Sequence, residues 1–529
     1  MKYGVVDMHA RLFPDDMRRA DAADKVELDC PRGSFACFQL LLTDVEAGEI
    51  RCHWEGALPG KASMRRLIKV FVQKNTGENG FTATEGENPE RYTVRKAPFW
   101  AYDPIAELRG DHAYYDGKDP NCGLYGMIEI PAECAAREWR FGLTVEIGGE
   151  SCSVPLTLRV HKATVPAVSS FGLIQWFSFH NMADYHHCER WSEAHWEIIR
   201  RYCKLMRHGR QNYFWINKEI VSVRREGKCF HFDFSRAERF AAMCFDMGFT
   251  RMECAMVIER RHYEDNSFII RAGGEELKAL SEEGYRYLHD YFAQLRAMLQ
   301  KNGWLDRCVQ HVADEPHEGC VNEYRIFSGI VRMLMPGVPL IDAVETWDLF
   351  GSDDILVPKN FYYERNREQF EQYRVLGNDL WVYTCCHPGG AYMNRALDMH
   401  VLRVRYMHWA IQRYRLSGYL HWGLNYYDYT DDPFAGKAGQ SINLGDVELP
   451  PGDTHIVYPD TDRPMSSVRF EAMRAGQEDA ELLEQLRRID ETVERHILDA
   501  VVRGFGDFSE DIPAFHKAHA ALLERLSAR

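Results

Sequence analysis

What most constrains this chain is an alternation running from residue 171 to residue 424. Eight short apolar runs are separated there by longer spans of helical periodicity. The runs are Phe171–Trp176, Asn212–Ile216, Arg251–Val257, Cys308–Ala313, Val338–Val344, Asp354–Pro358, Leu380–Cys386 and Gly418–Leu424. They are too short for helices and rich enough in β-branched and aromatic residues to read as buried strands. Helical spans lie between them at Trp191–Arg207, Ser235–Met247, Ser281–Lys301, Asn322–Met335, Arg365–Leu376 and Asn394–Tyr414. Strands alternating with helices predict a (β/α)8, TIM-like barrel over residues 166–465. A doubly wound sheet is the competing arrangement, because the third and sixth connections are irregular.

The flanks differ in kind. Residues 1–165 hold alternating or β-branched runs such as "FACFQLLL", "RLIKVFVQ" and "RFGLTVEI", broken by turn chemistry such as "YDGKDPNCG". They predict an N-terminal antiparallel β-sandwich, which either binds sugar or buttresses its neighbour. Residues 466–529 open with "SSVRFEAMRAGQEDAELLEQLRRI", apolar on a helical period with acids and bases alternating on the other face. They predict a helical C-terminal extension packed on the barrel. The chain is thus multidomain, α/β plus all-β, as 529 residues require of a fold that cannot keep enlarging one core.

A formal charge of -15 is the wrong sign for following a phosphate backbone, so nucleic acid is excluded as a partner. No stretch is long and apolar enough for a membrane span, and the N-terminal stretch has no seven-residue apolar core, so an unexported chain is expected. Fifteen scattered cysteines without a CxxC pair read as reduced thiols. A cytoplasmic location is expected, with homo-oligomerisation left open.

Active sites of such barrels lie at the C-terminal ends of the strands. The fourth run ends in Asp314 and Glu315, followed by Pro316. Later runs lead to Glu345 and Trp347, to Tyr383 and His387, and to His421, Trp422, Asn425, Tyr427 and Asp428. Acids, amides and aromatics on one rim make a carbohydrate pocket, so Trp347, Tyr383, His387, His421, Trp422, Asn425, Tyr427 and Asp428 are candidate substrate-binding residues. Each of them also suits a core or loop-shaping role. The histidines His180, His186 and His187 lack the spacing of a zinc helix, and no phosphate loop, dinucleotide turn or nucleophile elbow is present, so no metal or cofactor is expected.

Two adjacent carboxylates repel by about 3 kcal/mol at 5 Å and an effective dielectric near 20, enough to raise one pKa by roughly two units. One acid then stays protonated near neutral pH, as a glycosidic leaving oxygen requires. Neighbours in sequence cannot easily reach both faces of a glycosidic bond. They suit a reaction in which the substrate's own 2-acetamido group is the nucleophile. The bland alternative is an N-cap or a surface ion pair, for which "DE" after a strand is common.

"ADEP" at a strand end, then "GYLHWGLNYYDYTDDPF", "GDTHIVYP" and "SSVRFEAMRAGQEDAELL", resembles glycoside hydrolase family 123 and its wider group of relatives across most of residues 166–490. The resemblance implies retaining, substrate-assisted removal of terminal β-linked N-acetylgalactosamine through an oxazoline intermediate. Asp314 would orient the acetamido group, and Glu315 would act as general acid and then base. A β-N-acetylhexosaminidase acting on a small glycan or glycoconjugate is therefore the expectation. Two alternatives stay open: a glycosidase pairing Glu315 with a distant carboxylate, Glu345 or Asp428, and a non-catalytic carbohydrate-binding protein.

Overall fold

The computed structural model describes residues 1–17, 23–77, 92–430, 432–435 and 448–528. Its N-terminal part is a sandwich of two sheets. One has seven strands in the order Lys2–Val6, Ser34–Thr43, Asn121–Ile130, Ala62–Val72, Phe99–Glu107, Pro464–Ser467 and Tyr458–Pro459. The other has four, in the order Val26–Arg32, Glu150–Thr164, Glu138–Ile147 and Arg51–Glu55. Period-two alternation divides the larger sheet's residues between two cores. Phe38, Leu40, Leu124 and Ile128 pack toward the four-stranded sheet, while Cys37, Leu41, Tyr125 and Met127 join the main core of the barrel. "FACFQLLL" is apolar but for Gln39 because both of its faces are covered, and Gln39 Nε2 donates to the carbonyls of Asp7 and Ala10.

The barrel strands are β1 (Gly172–Gln175), β2 (Tyr213–Ile216), β3 (Arg251–Cys254), β4 (Cys308–His311), β5 (Leu340–Val344), β6 (Ile355–Pro358), β7 (Asp379–Thr384) and β8 (Gly418–His421). They form one parallel sheet in sequential order, with β8 laddered back onto β1. Seven lie within the runs read from the sequence, and β7 starts one residue before its run, at Asp379. The gap between β1 and β2 is closed by a side chain: Asn212 Oδ1 accepts from the Leu173 N–H at 2.8 Å, and Asn212 Nδ2 donates to the Phe171 carbonyl at 2.8 Å. The Trp381 indole plugs the barrel floor, where a Cβ on Gly172 or Gly418 would meet it at 2.1 Å or 2.3 Å. Only glycine fits there.

Helices cover the outside, among them Glu193–His208, Ser235–Asp246, Glu282–Asn302, Val321–Leu334 and Leu402–Tyr414. Ser192 and Ser281 cap two of them by accepting from backbone N–H groups three residues on. The connection from β5 to β6, residues 345–354, carries no helix.

After β8 the chain returns to the sandwich, where Ser466 and Ser467 pair with Ile105 and Pro104, and then enters the Val468–Ile489 helix. Its charged face is not solvated, contrary to the simplest reading of the sequence. Arg469, Glu471, Arg474, Glu478 and Asp479 are buried between sandwich and barrel, and each is paired. Among the described residues no helix is long and apolar enough to cross a membrane.

Candidate active site

The fourth strand places the carboxylate pair. Beyond His311, the N–H groups of Val312 and Ala313 donate to the Asp342 carboxylate at 3.0 Å and 3.3 Å, which turns the chain across β5. Glu315 then adopts a φ of 51°, a left-handed conformation that costs a non-glycine residue about 1–2 kcal/mol. Two things hold it there. The Glu315 N–H donates to the Ala343 carbonyl at 3.0 Å, and Arg260 Nη2 donates to the carbonyls of Asp314 and Glu315 at 3.1 Å and 2.9 Å.

Both side chains line a cavity of about 940 Å³ at the C-terminal rim of the barrel. Its aromatic wall includes Trp176, Phe361, Tyr383, Trp422, Tyr426 and Tyr429. Its polar groups include Arg260, Glu345, Lys359 and His387. Lys359 bonds to Glu345, and its Nζ lies 3.6 Å from Glu315 Oε1, which also accepts from the Tyr383 hydroxyl.

These surroundings separate the two acids. Burial and the neighbouring Glu315 push the Asp314 pKa up to about 7, against the pull of His311 and Arg260. The Asp314 side chain is 43% accessible, yet it sits in a protein-walled recess where hydration is incomplete. Burial works in the same direction on Glu315, but the Lys359 ammonium and the Tyr383 hydroxyl outweigh it, and the Glu315 pKa is lowered. His387 is depressed to about 4 by burial and by the charges of Lys359 and Arg365, so it is neutral at physiological pH. A cavity with one protonated and one ionised carboxyl side by side, among aromatic faces, is equipped to protonate one atom of a sugar while orienting another.

The family model for "Glycoside hydrolase 123, catalytic domain" matches residues 176–486, which contain this entire rim. The chain belongs to glycoside hydrolase family 123. Among solved structures it is similar to a family 123 glycoside hydrolase from Clostridium perfringens, studied for glycolipid glycan hydrolysis. That likeness has 12% identity and a TM-score of 0.76, and covers 100% of this chain and 97% of that one. It is a likeness of fold. A xylanase from Thermobacillus composti is more distant, with 14% identity, a TM-score of 0.34, and coverage of 58% of this chain and 97% of that one. No match was found among curated protein sequences.

As a family 123 glycoside hydrolase, the chain brings Asp314, Glu315, Tyr383, His387 and Trp422 to one cavity, together with Glu345. Five expected substrate-binding residues lie elsewhere. Trp347 is 37% exposed on the β5–β6 connection, where its carbonyl accepts from the Tyr373 hydroxyl. His421 is buried, with Nδ1 accepting from the Gly423 N–H at 2.9 Å. Asn425 ties the loop after β8 to Ser178, accepting from its N–H and donating to its carbonyl. Tyr427 meets Tyr202 hydroxyl to hydroxyl at 3.1 Å, and Asp428 is exposed and accepts from Asn181 Nδ2 at 2.7 Å.

The reason for the last two is local. Residues Tyr427–Tyr429 form a turn of 3-10 helix, in which residues three apart share a face. Tyr426 and Tyr429 therefore face the cavity while Tyr427 and Asp428 turn away. The sequence reading took Tyr427 and Asp428 because they follow the eighth strand, which does not say which way each side chain turns. It also passed over Lys359, the first residue after β6, which the same strand-end rule identifies once Pro358 closes the strand. Arg260 lies within the long β3–β4 connection, and nothing in its local sequence marks it.

Proposed function

We propose that this family 123 enzyme is a retaining exo-glycosidase that removes terminal β-linked N-acetylgalactosamine by substrate-assisted catalysis. One observation carries the reading: adjacent carboxyls on one cavity, with their pKa values driven in opposite directions so that the pair keeps one proton near neutral pH. In the proposed reaction the acetamido oxygen attacks the anomeric carbon, and the glycosidic C–O bond breaks as Glu315 protonates the departing oxygen. Asp314 accepts the amide N–H and stabilises the charge that develops on the oxazoline. Glu315, now ionised, takes a proton from the water that reopens the ring, and two displacements at the anomeric carbon retain its configuration.

These opposite shifts favour the proton on Asp314, whereas the reaction needs it on Glu315. The substrate supplies the transfer. An amide N–H donated to Asp314 favours its ionised form, and the single proton of the coupled pair passes to Glu315.

The surroundings weigh against a distant nucleophile. Asp428 is outside the cavity-lining set, and Glu345 is tied to Lys359. The fifteen free cysteines favour a reducing, cytoplasmic setting and hence a small glycan substrate.

The test is inhibition by a thiazoline that mimics the oxazoline. The proposed mechanism requires strong competitive inhibition, and a glycosidase with a protein nucleophile would be hardly affected.

A further inference from the structure

Beneath Asp314 lies a chain of buried ionisable groups that the reaction above leaves without a role. His311, fully buried at the end of β4, has Nε2 2.6 Å from Asp342 Oδ1 and Nδ1 3.1 Å from Glu253 Oε1. The same Nε2 lies 3.8 Å from Asp314 Oδ1. Trp176 and Trp215 close over the ring, with centroids at 5.2 Å and 6.3 Å.

The contacts among these groups constrain their charges. Tyr324 has one phenolic proton, yet its hydroxyl touches both Asp342 Oδ2 and, at 2.5 Å, Asp353 Oδ1. One carboxyl must therefore carry a proton. Burial and the nearby Asp342 push the Asp353 pKa far up, and its second oxygen is buried without a partner, so Asp353 is the protonated acid. Asp342 receives the Tyr324 hydroxyl and the Val312 and Ala313 N–H groups, which together support a carboxylate even though burial raises its pKa. Glu253 Oε1 accepts from Trp176 Nε1 at 3.2 Å and faces His311 Nδ1; burial raises the Glu253 pKa, while the contacts with His311 and Trp176 favour its ionised form. With Glu253 Oε1 in hydrogen-bond contact with Nδ1 and Asp342 Oδ1 at ion-pair distance, 2.6 Å, from Nε2, the surroundings favour a ring protonated on both nitrogens. Burial opposes that charge, but Asp342 and Glu253 outweigh it.

We propose that His311 is a positioning residue for this site, a buried imidazolium pinned by Asp342 and Glu253 whose charge stabilises ionised Asp314 from beneath during turnover. The inference rests on the role given to Asp314 above. The other charges acting on Asp314 are Glu315 and Asp342, which oppose its ionisation, and Arg260, which favours it. His311 is the nearest cation to its carboxyl among the ion pairs described.

The test compares pH profiles of kcat/KM for the full-length enzyme, His311→Gln and Asp342→Asn on a nitrophenyl N-acetylgalactosaminide, with 15N NMR of histidine-labelled protein. Loss of the imidazolium should lower the plateau at least about tenfold and move the alkaline limb up by about one pH unit, because the carboxyl pair then holds its proton more tightly. A residue with only a structural role would lower the plateau and leave the limb in place. In the spectra, one ring should keep both nitrogens protonated at pH 8, and that signal should vanish in His311→Gln. A neutral His311 ring at pH 7, or an unchanged alkaline limb in folded variants, overturns the proposal. If both variants fail to fold, the wild-type spectrum decides. If the wild type cleaves no acetamido glycoside, the proposed function has failed, and the ring's protonation state still decides whether His311 is the buried cation.

Discussion

The Tyr383 hydroxyl donates to Oε1 of Glu315, the same oxygen that faces the Lys359 ammonium at 3.6 Å. The ammonium charge and the hydroxyl donor stabilise the ionised carboxylate, which explains why Glu315 is lowered while its neighbour Asp314 is raised. Lys359→Met and Tyr383→Phe should therefore raise the Glu315 pKa. The acidic limb of the kcat/KM profile, where the pair takes up its second proton, should move up by at least about one unit for Lys359→Met and by less for Tyr383→Phe. Steady-state kinetics from pH 3 to 9 on a nitrophenyl substrate measure both shifts.

The alkaline limb has a different origin. Asp314 at about 7 marks the point where the pair loses its last proton. Below that pH one proton is available for the leaving oxygen, and above it none is, so kcat/KM should decline with a midpoint near pH 7. A profile flat to pH 9 would show that this proton is not the one the reaction uses.

The two acids should respond differently to the leaving group. Glu315→Gln should reduce turnover of unactivated glycosides by at least about two orders of magnitude, the scale of general acid catalysis, and that of nitrophenyl glycosides much less. Asp314→Asn should impair both classes, because anchoring the acetamido group matters whatever departs. The measurement is the ratio of kcat/KM between a natural oligosaccharide and a nitrophenyl glycoside for each variant.

Stability should depend on the buried pairs that join barrel to sandwich. Arg469 Nε donates to Asp103 Oδ2 at 2.9 Å, with both side chains fully buried, and its other nitrogens donate to the carbonyls of Arg395, Gly452 and His455. Arg469→Met leaves Asp103 with Arg11 and the Tyr458 hydroxyl, strips three buried carbonyls of their donor, and should cost about 3–5 kcal/mol, read as a lowered urea midpoint. Burial alone would raise the pKa values of Asp103, Glu471 and Asp479, but their Arg and His partners outweigh it and all three are lowered. Depressed carboxyls contribute stability that is present above their unfolded pKa and lost as pH falls through the folded one. The melting temperature should accordingly begin to drop below about pH 4.

The barrel strands were legible because each is a short apolar run closed by turn residues, and strand-end position then led to Asp314, Glu315, Tyr383, His387 and Trp422. Information of other kinds was not local. The charges of Arg474 and Glu478 look like those of any solvated helix face, and only the docking of the sandwich buries them. Tyr426 and Tyr429 are set by a 3-10 turn that the aromatic-rich sequence does not announce. Arg260 reaches the Asp314 and Glu315 carbonyls from a separate connection more than fifty residues upstream, a contact that exists only in three dimensions.

The central claim is that the bound sugar supplies its own nucleophile. Hydrolysis of nitrophenyl glycosides of N-acetylgalactosamine, N-acetylglucosamine, galactose and glucose in both anomeric forms tests it most directly. The account predicts turnover of the β-acetamido sugars, fastest for the galacto form, and none of the sugars bearing a 2-hydroxyl. Cleavage confined to β-galactoside or β-glucoside would contradict it.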